Sequence, residues 1–339
     1  MAIRQRRTLR VAAGCLTLLA IATASLALDE PYQYFRLGNS RNAHAKPTGG
    51  VALMGGGKDL DAAFQWMCRR SDGGDFLILR ATGTDAYNPY VEQICQVNSV
   101  ATLVIPNRAA ANDPAAAKKI AAASAIFFSG GDQANYINFW KGTPVQTSVN
   151  AAIGRKVPVG GTSAGLAIQG QFIYSAQNDS PDGPDLTSKV SLENPYNRQV
   201  VIASSFLKNS ALRDVITDTH FVTRDRMGRL LTFMARILAD GDANTIHAFG
   251  IDEHTAVLLN PDGTATVRGS SRAYFLSAIV KPSVCRPGMP LSFSNVVVQR
   301  LTAGETFNVN SWTRNGGSSY TLNVNSGVVH STQPGGKIY

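Results

Sequence analysis

Metal-binding cysteine patterns are missing from this chain: its four cysteines include no C-x-x-C pair and no Cys/His spacing that suits a metal ion. Nor is there a Lys/Arg-rich run interleaved with aromatics, so nucleic acid is not an expected partner. The segment Met54-Gly55-Gly56-Gly57-Lys58 has neither the G-x-G-x-x-G spacing nor the G-K-[ST] ending of a P-loop. It reads as a glycine corner that turns a strand into a helix. Histidine is scarce: five residues leave few candidates for a general base.

Long hydrophobic runs are also few. Val11 to Leu26 is apolar, but it is short for a membrane span and is interrupted by Gly14, Thr17, Thr23 and Ser25. Arg4, Arg6, Arg7 and Arg10 precede the run, and Ser25-Leu26-Ala27 closes it as a small-residue cleavage site. Residues 1–27 therefore read as a cleaved signal peptide, with the protein exported (periplasmic or extracellular) and holding no stable membrane anchor. Arg6-Arg7 leaves both Sec and twin-arginine export open, and Cys15 lies inside the run, unlike a lipoprotein cysteine. The segment carries four arginines and no acid, so its removal lowers the formal charge from +9 to +5. Of Cys68, Cys95 and Cys285, the first two are the expected disulfide in an oxidising compartment, three separate buried thiols being the alternative.

Residues 28–48 are polar and irregular, as in a linker or mobile arm. Beyond them, strand and helix signals alternate. Val51–Met54, Asp75–Leu79, Val100–Ile105 and Ala125–Phe128 are apolar runs, and Leu60, Ala63, Phe64 and Met67 fall at helical spacing between the first two. The alternation predicts an α/β fold with a doubly wound, mostly parallel sheet over residues 49–280. Sites in such sheets lie at the carboxyl ends of the strands, where the glycine corners at 55–57, 83, 130–131 and 160–161 fall. Val215–His220, Ala248–Ile251 and Thr255–Leu259 read as further strands, Met227–Leu238 as an amphipathic helix, and Asn178–Pro184 as a turn-rich loop. From about Cys285 onward the helical signals vanish, and residues 281–339 read as a β-rich extension whose Gly/Ser/Asn content predicts partial disorder.

Gly161-Thr162-Ser163-Ala164-Gly165 follows the apolar stretch Val157–Gly160 and opens a helical stretch, Ala164–Gln169. A serine on a sharp strand-to-helix turn is exposed, and the N–H of the next residue, here Ala164, is placed to stabilise an oxyanion. Among the histidines, His44 lies in the arm and His330 in the tail, while His247 begins a strand. His220 follows a strand and precedes a helix, which makes it the leading base, with His254 second. Asp252 or Glu253 could orient it, and Asp179 is a competing acid. The order serine, histidine, acid differs from that of lipase-like hydrolases. Arg224, Arg226 and Arg229 lie beside the candidate base and would offer a positive pocket to a carboxylate substrate.

Four patterns give the chain a family resemblance: Phe127-Phe128-Ser129-Gly130-Gly131-Asp132-Gln133, the Ser163 motif, His220-Phe221 with the three arginines, and Gly250-Ile251-Asp252-Glu253-His254-Thr255-Ala256. Together, across residues 50–260, they resemble the cyanophycinase and dipeptidase E group of serine peptidases, and the arginines make cyanophycinases the nearer match. The resemblance implies a class I glutamine-amidotransferase-like fold and a triad of Ser163, His220 and Glu253. It further implies oxyanion N–H groups from Gly131 and Ala164, and a pocket lined by Gln133 and by Arg224, Arg226 and Arg229. Such a triad needs no metal and no organic cofactor. Cyanophycinases release β-linked aspartyl-arginine units as exopeptidases, so the expected partner is a β-aspartyl or other acidic peptide. A homodimer is one candidate assembly. The signal peptide, the arm and the tail beyond residue 280 depart from the family pattern, which leaves scavenged polymer and unrelated acidic peptides both open as substrates. The alternative reading is an inactive or weakly active acidic-peptide-binding member of the same fold.

Overall fold

The computed structural model describes residues 31–179 and 185–339; the expected signal peptide and the end of the 178–184 loop lie outside them. Numbering elements along the chain, five parallel strands form the centre of a ten-stranded sheet. Their spatial order is β4 (Ser99–Val104), β3 (Asp75–Arg80), β5 (Ala125–Phe128), β6 (Val159–Thr162) and β2 (Val51–Met54). The crossovers carry α1 (Asp61–Arg70), α2 (Tyr87–Ile94), α3 (Arg108–Ala111), α4 (Pro114–Ala121), α5 (Gln133–Asn135) and α6 (Pro144–Gly154). Both faces of these strands are buried, as parallel sheets require. Val51 and Leu53 of β2 enter one core cluster, and Ala52 and Met54 enter another.

The arm is less irregular than its composition predicts. β1 (Gln33–Gly38) pairs antiparallel with β4, and Arg36 reaches Asp75 at 2.9 Å. That pairing covers the otherwise open edge of β4. On the far side the sheet continues antiparallel through β11 (Thr255–Leu259), β12 (Thr264–Gly269), β15 (Thr306–Asn308) and β16 (Thr313–Asn315). Pro261-Asp262-Gly263 makes the expected turn between β11 and β12.

A second sheet of eight strands was not legible from the alternation of strand and helix signals. Its order is β18 (Val328–Ser331), β17 (Ser318–Asn325), β14 (Phe293–Thr302), β13 (Arg272–Ala278), β10 (Ile246–Ile251), β9 (Val215–Asp218), β7 (Phe172–Tyr174) and β8 (Ile202–Ser204). Most neighbours here are antiparallel, although β9 lies parallel to both β10 and β7. Phe249 and Ile251 of β10 face the core shared with the first sheet, while Ile246 and Ala248 face the cluster beneath α9 (Met227–Asp240). Two further short α-helices among the described residues are α7 (Ala164–Ala167) and α8 (Ser188–Glu193).

The tail beyond 280 extends both sheets, and Pro31–Tyr339 forms one compact unit. Its expected partial disorder gives way to strands with alternating burial: Val296 and Val298 are buried either side of the exposed Val297, and Tyr320, Leu322 and Val324 are buried between the more exposed Thr321 and Asn323. Cys68 and Cys95 form a disulfide between α1 and the end of α2, and Cys285 is a free thiol.

Candidate active site

Ser163 stands where the carboxyl ends of three neighbouring strands meet. β6 ends at Thr162, with β5 on one side leading into Gly130-Gly131 and β2 on the other leading into Gly55-Gly56-Gly57. Ser163 has φ 53° and ψ −120°, a conformation strained for any residue with a side chain. Its N–H donates to Met54 O at 3.1 Å, and its carbonyl accepts from Leu166 N and Ala167 N of α7. The flanking glycines allow that packing. A β-carbon on Gly165 would lie 2.1 Å from Phe128 O, and one on Gly161 would lie 2.3 Å from Gly165 O.

The second sheet brings up the base and the acid. His220 follows β9 and Glu253 follows β10, its parallel neighbour. Ser163 Oγ lies 2.7 Å from His220 Nε2, and His220 Nδ1 lies 2.5 Å from Glu253 Oε1. The imidazole is thus hydrogen-bonded at both nitrogens, between a hydroxyl and a carboxylate. Burial is the largest influence on its pKa, and the charges of Arg224 and Arg226 act in the same direction. Glu253 opposes them, but the net result is a pKa below the ordinary histidine value. A neutral imidazole is the form that accepts a proton from serine.

The two adjacent acids that the sequence left as alternatives have different partners. Asp252 Oδ1 accepts from the backbone N–H groups of Val222 and Thr223, each at 2.9 Å, while Oδ2 accepts from Ser271 Oγ at 2.6 Å. It therefore anchors the turn after His220. Asp179 accepts from Tyr174 Oη at 2.7 Å and from Gln199 Nε2 at 3.1 Å, and its hydrogen bonds do not include the imidazole. His254, the second candidate base, accepts from Lys58 N at 3.2 Å instead of meeting the serine.

The glycine corner at 55–57 does more than turn a strand into a helix. Gly55 O accepts the N–H of His220 at 2.8 Å. A β-carbon on Gly56, whose φ is +102°, would lie 2.4 Å from Cε1 and 2.6 Å from Nε2 of the imidazole. Backbone thus forms a wall against the ring. The signal was present in the sequence as three consecutive glycines, but nothing there indicated what they approach.

Ser163 and His220 open on a cavity of about 410 Å³ that is also lined by Gly131, Ala164 and Gln133. Gln133 Nε2 is 3.5 Å from Tyr174 O. All three arginines border the cavity, but they do not form the open positive pocket that the sequence predicts. Arg229 is buried and gives Nε and Nη2 to the two oxygens of Asp218, at 2.7 and 2.5 Å. Arg226 donates to Thr219 O and to Asp185 Oδ2, and Arg224 donates to the same Asp185 oxygen. Two acids therefore offset most of the cluster's charge. Neither stands out in the sequence: Asp218 reaches Arg229 across eleven residues, and Asp185 follows the turn-rich loop.

No family model matches the chain. It is 26% identical over 289 residues to the cyanophycinase of Synechococcus elongatus, covering 80% of this chain and 83% of the relative. To the cyanophycinase of Trichormus variabilis it is 28% identical over 193 residues, which is 56% of this chain and 58% of that protein. Among solved structures, a peptidase from an acI-B1 Actinobacterium aligns with a TM-score of 0.48 at 18% identity, over 78% of this chain and 98% of that one.

Proposed function

We propose that this chain, a homologue of the cyanophycinases and a peptidase-type hydrolase, is a serine exopeptidase that hydrolyses β-aspartyl peptide bonds through an acyl-enzyme. The observation that carries the reading is the hydrogen-bonded series Ser163 Oγ, His220 Nε2, His220 Nδ1, Glu253 Oε1, which opens on an arginine-bordered cavity. The exopeptidase mode and the β-aspartyl linkage rest on the resemblance to cyanophycinases.

In the first half-reaction Ser163 Oγ attacks the scissile carbonyl carbon as His220 Nε2 takes the hydroxyl proton. Glu253 holds the imidazolium that forms. The carbonyl oxygen becomes an oxyanion facing the N–H groups of Gly131 and Ala164. His220 then returns the proton to the leaving nitrogen, the C–N bond breaks, and an ester to Ser163 remains. In the second half-reaction water gives a proton to His220 and attacks the ester carbon; His220 then returns that proton to Ser163 Oγ as the acyl C–Oγ bond breaks and the carboxylic acid product leaves. Arg224 and Arg226 supply the charge that holds the substrate's carboxylate.

Export remains part of this reading. It is supported by the arginine-led apolar run at the start of the sequence and by the Cys68–Cys95 disulfide, a bond that persists in oxidising compartments. The deciding experiment compares the protein with its Ser163→Ala variant on β-aspartyl-arginine dipeptide and on cyanophycin. The variant is expected to lose kcat by about 10⁴-fold or more. Undiminished turnover would remove Ser163 from the mechanism.

A further inference from the structure

The three arginines that border the cavity are not equivalent. Arg229 and Asp218 both have side chains only 3% exposed, and the pair is bidentate. The remaining Nη1 of Arg229 donates to Leu186 O at 3.3 Å. Breaking that pair would strand a buried charge, so a ligand has little to gain from Arg229. Arg224 is different, with a side chain 47% exposed and one carboxylate partner, Asp185 Oδ2 at 3.1 Å. Arg226 is mostly buried, but its Nη2 points to the same oxygen at 2.6 Å.

A single carboxylate oxygen thus bridges the two guanidinium groups that have donors left for a ligand. The Asp185 side chain is 55% exposed, so solvent reaches it and a second carboxylate can compete for the same donors. It is nevertheless held in place from the chain that follows. Leu186 O takes the Arg229 donor, Thr187 Oγ1 caps α8 by accepting from Val190 N, and Ser188 Oγ donates to Asp225 O. Partial burial works against the ionisation of Asp185, but Arg226, with help from Arg229 and Arg224, holds its carboxyl below the ordinary value. At neutral pH it is an anion seated on both arginines.

We propose that Asp185 is a resident competitor for the substrate's carboxylate: it occupies the Arg224–Arg226 seat, and a ligand carboxylate must displace it to bind. This inference rests on the reading that the arginines receive a substrate carboxylate, but its test does not require hydrolysis. Asp185 then acts as a specificity filter. A ligand without a carboxylate has nothing to exchange for the ion pair, whereas one with a well-placed carboxylate replaces it.

Succinate is a suitable probe, since it carries carboxylates and contains no bond for the enzyme to cut. Calorimetric titration of the full chain with succinate at low ionic strength is expected to give a Kd about three- to tenfold lower for Asp185→Asn than for wild type. Arg224→Gln is expected to weaken binding in both backgrounds. Succinamide, the neutral analogue, should show no gain. A succinate Kd that is unchanged or raised by Asp185→Asn, or no succinate binding in either form, would overturn the proposal. The two readings fail separately. Tightened succinate binding in a protein that cleaves no β-aspartyl dipeptide would leave the seat intact and sink the β-aspartyl peptidase reading. An active peptidase whose succinate affinity ignores Asp185 would do the reverse.

Discussion

Gly56 and His220 are packed so closely that a β-carbon on the glycine would lie 2.4 Å from Cε1 of the imidazole. The ring leans on bare backbone on that side, and Gly55 O accepts the backbone N–H of His220. Gly56→Ala must therefore shift the imidazole or the backbone behind it, and it also strains a backbone at φ +102°. A displacement of about 1 Å at the base is expected to cost roughly 10²-fold in kcat. Steady-state kinetics alongside circular dichroism would check this. A folded variant with full kcat would show that the wall does not position the ring.

Glu253 and Asp179 were rival acids in the sequence, and only Glu253 contacts the imidazole among the hydrogen bonds each makes. Glu253→Gln retains the shape but removes the charge that holds Nδ1–H, with an expected loss of roughly 10³- to 10⁴-fold in kcat. Asp179→Asn is expected to cost far less, because its hydrogen-bond partners are Tyr174 and Gln199, not the imidazole. A larger loss for Asp179→Asn than for Glu253→Gln would reassign the acid.

Much of the site was legible because its signals are local. A serine between glycines at the end of an apolar run, a histidine at the end of another and acids at a third each lie where a parallel strand hands over to a loop. What stayed hidden depends on contacts between distant segments. Asp252 and Glu253 are neighbours in sequence, and only the turn between β10 and β11 decides which one faces His220. The arginines looked free because their partners, Asp185 and Asp218, carry no spacing rule that links them to the cluster. The same limit applied to the fold. Strand–helix alternation revealed β2 to β6 but could not reveal that β9 and β10 leave that sheet for another. Nor could composition reveal that a Gly/Ser/Asn-rich tail would be pinned by alternating apolar residues such as Val296 and Val298.

The electrostatics of His220 imply a pH profile. Burial and the charges of Arg224 and Arg226 hold its pKa below the usual histidine value of 6.5, against the pull of Glu253. The acid limb of kcat/KM, which tracks protonation of the free base, is therefore expected below pH 6.5. Arg224→Gln removes one of the repelling charges and is expected to move that limb upward. A limb that stays fixed or moves down in the variant would mean that Arg224 does not act on the base.

Asp218 and Arg229 form the most buried ion pair of the site, with both side chains 3% exposed. Asp218 also lies at the end of β9, two residues before His220. Asp218→Asn leaves a buried guanidinium without its anion, a change expected to cost about 3–5 kcal/mol of stability. Urea unfolding is the measurement, because activity would fall for several reasons at once. A midpoint equal to that of wild type would mean that Arg229 finds another partner or reaches water.

The disulfide offers a test that is separate from the chemistry. Cys68 and Cys95 are 27 residues apart, and the bond ties α1 to the end of α2. Loop-closure entropy for that span predicts about 3–4 kcal/mol of stabilisation, lost when the bond is removed. Two further links join the same segments, Tyr87 Oη to Asp59 and Tyr90 Oη to Asp61, so the helices retain a polar connection without it. The Gly55–Gly57 corner that backs His220 is held independently, through the pairing of β2 with β11 and the bond from Gly55 N to Thr255 O. The Cys68→Ser/Cys95→Ser variant is thus expected to unfold at lower urea while keeping a comparable kcat/KM in dilute buffer. A variant with wild-type stability would show that the bond adds nothing to the stability of the fold. One that is stable but inactive would show that α1 and α2 do control the histidine.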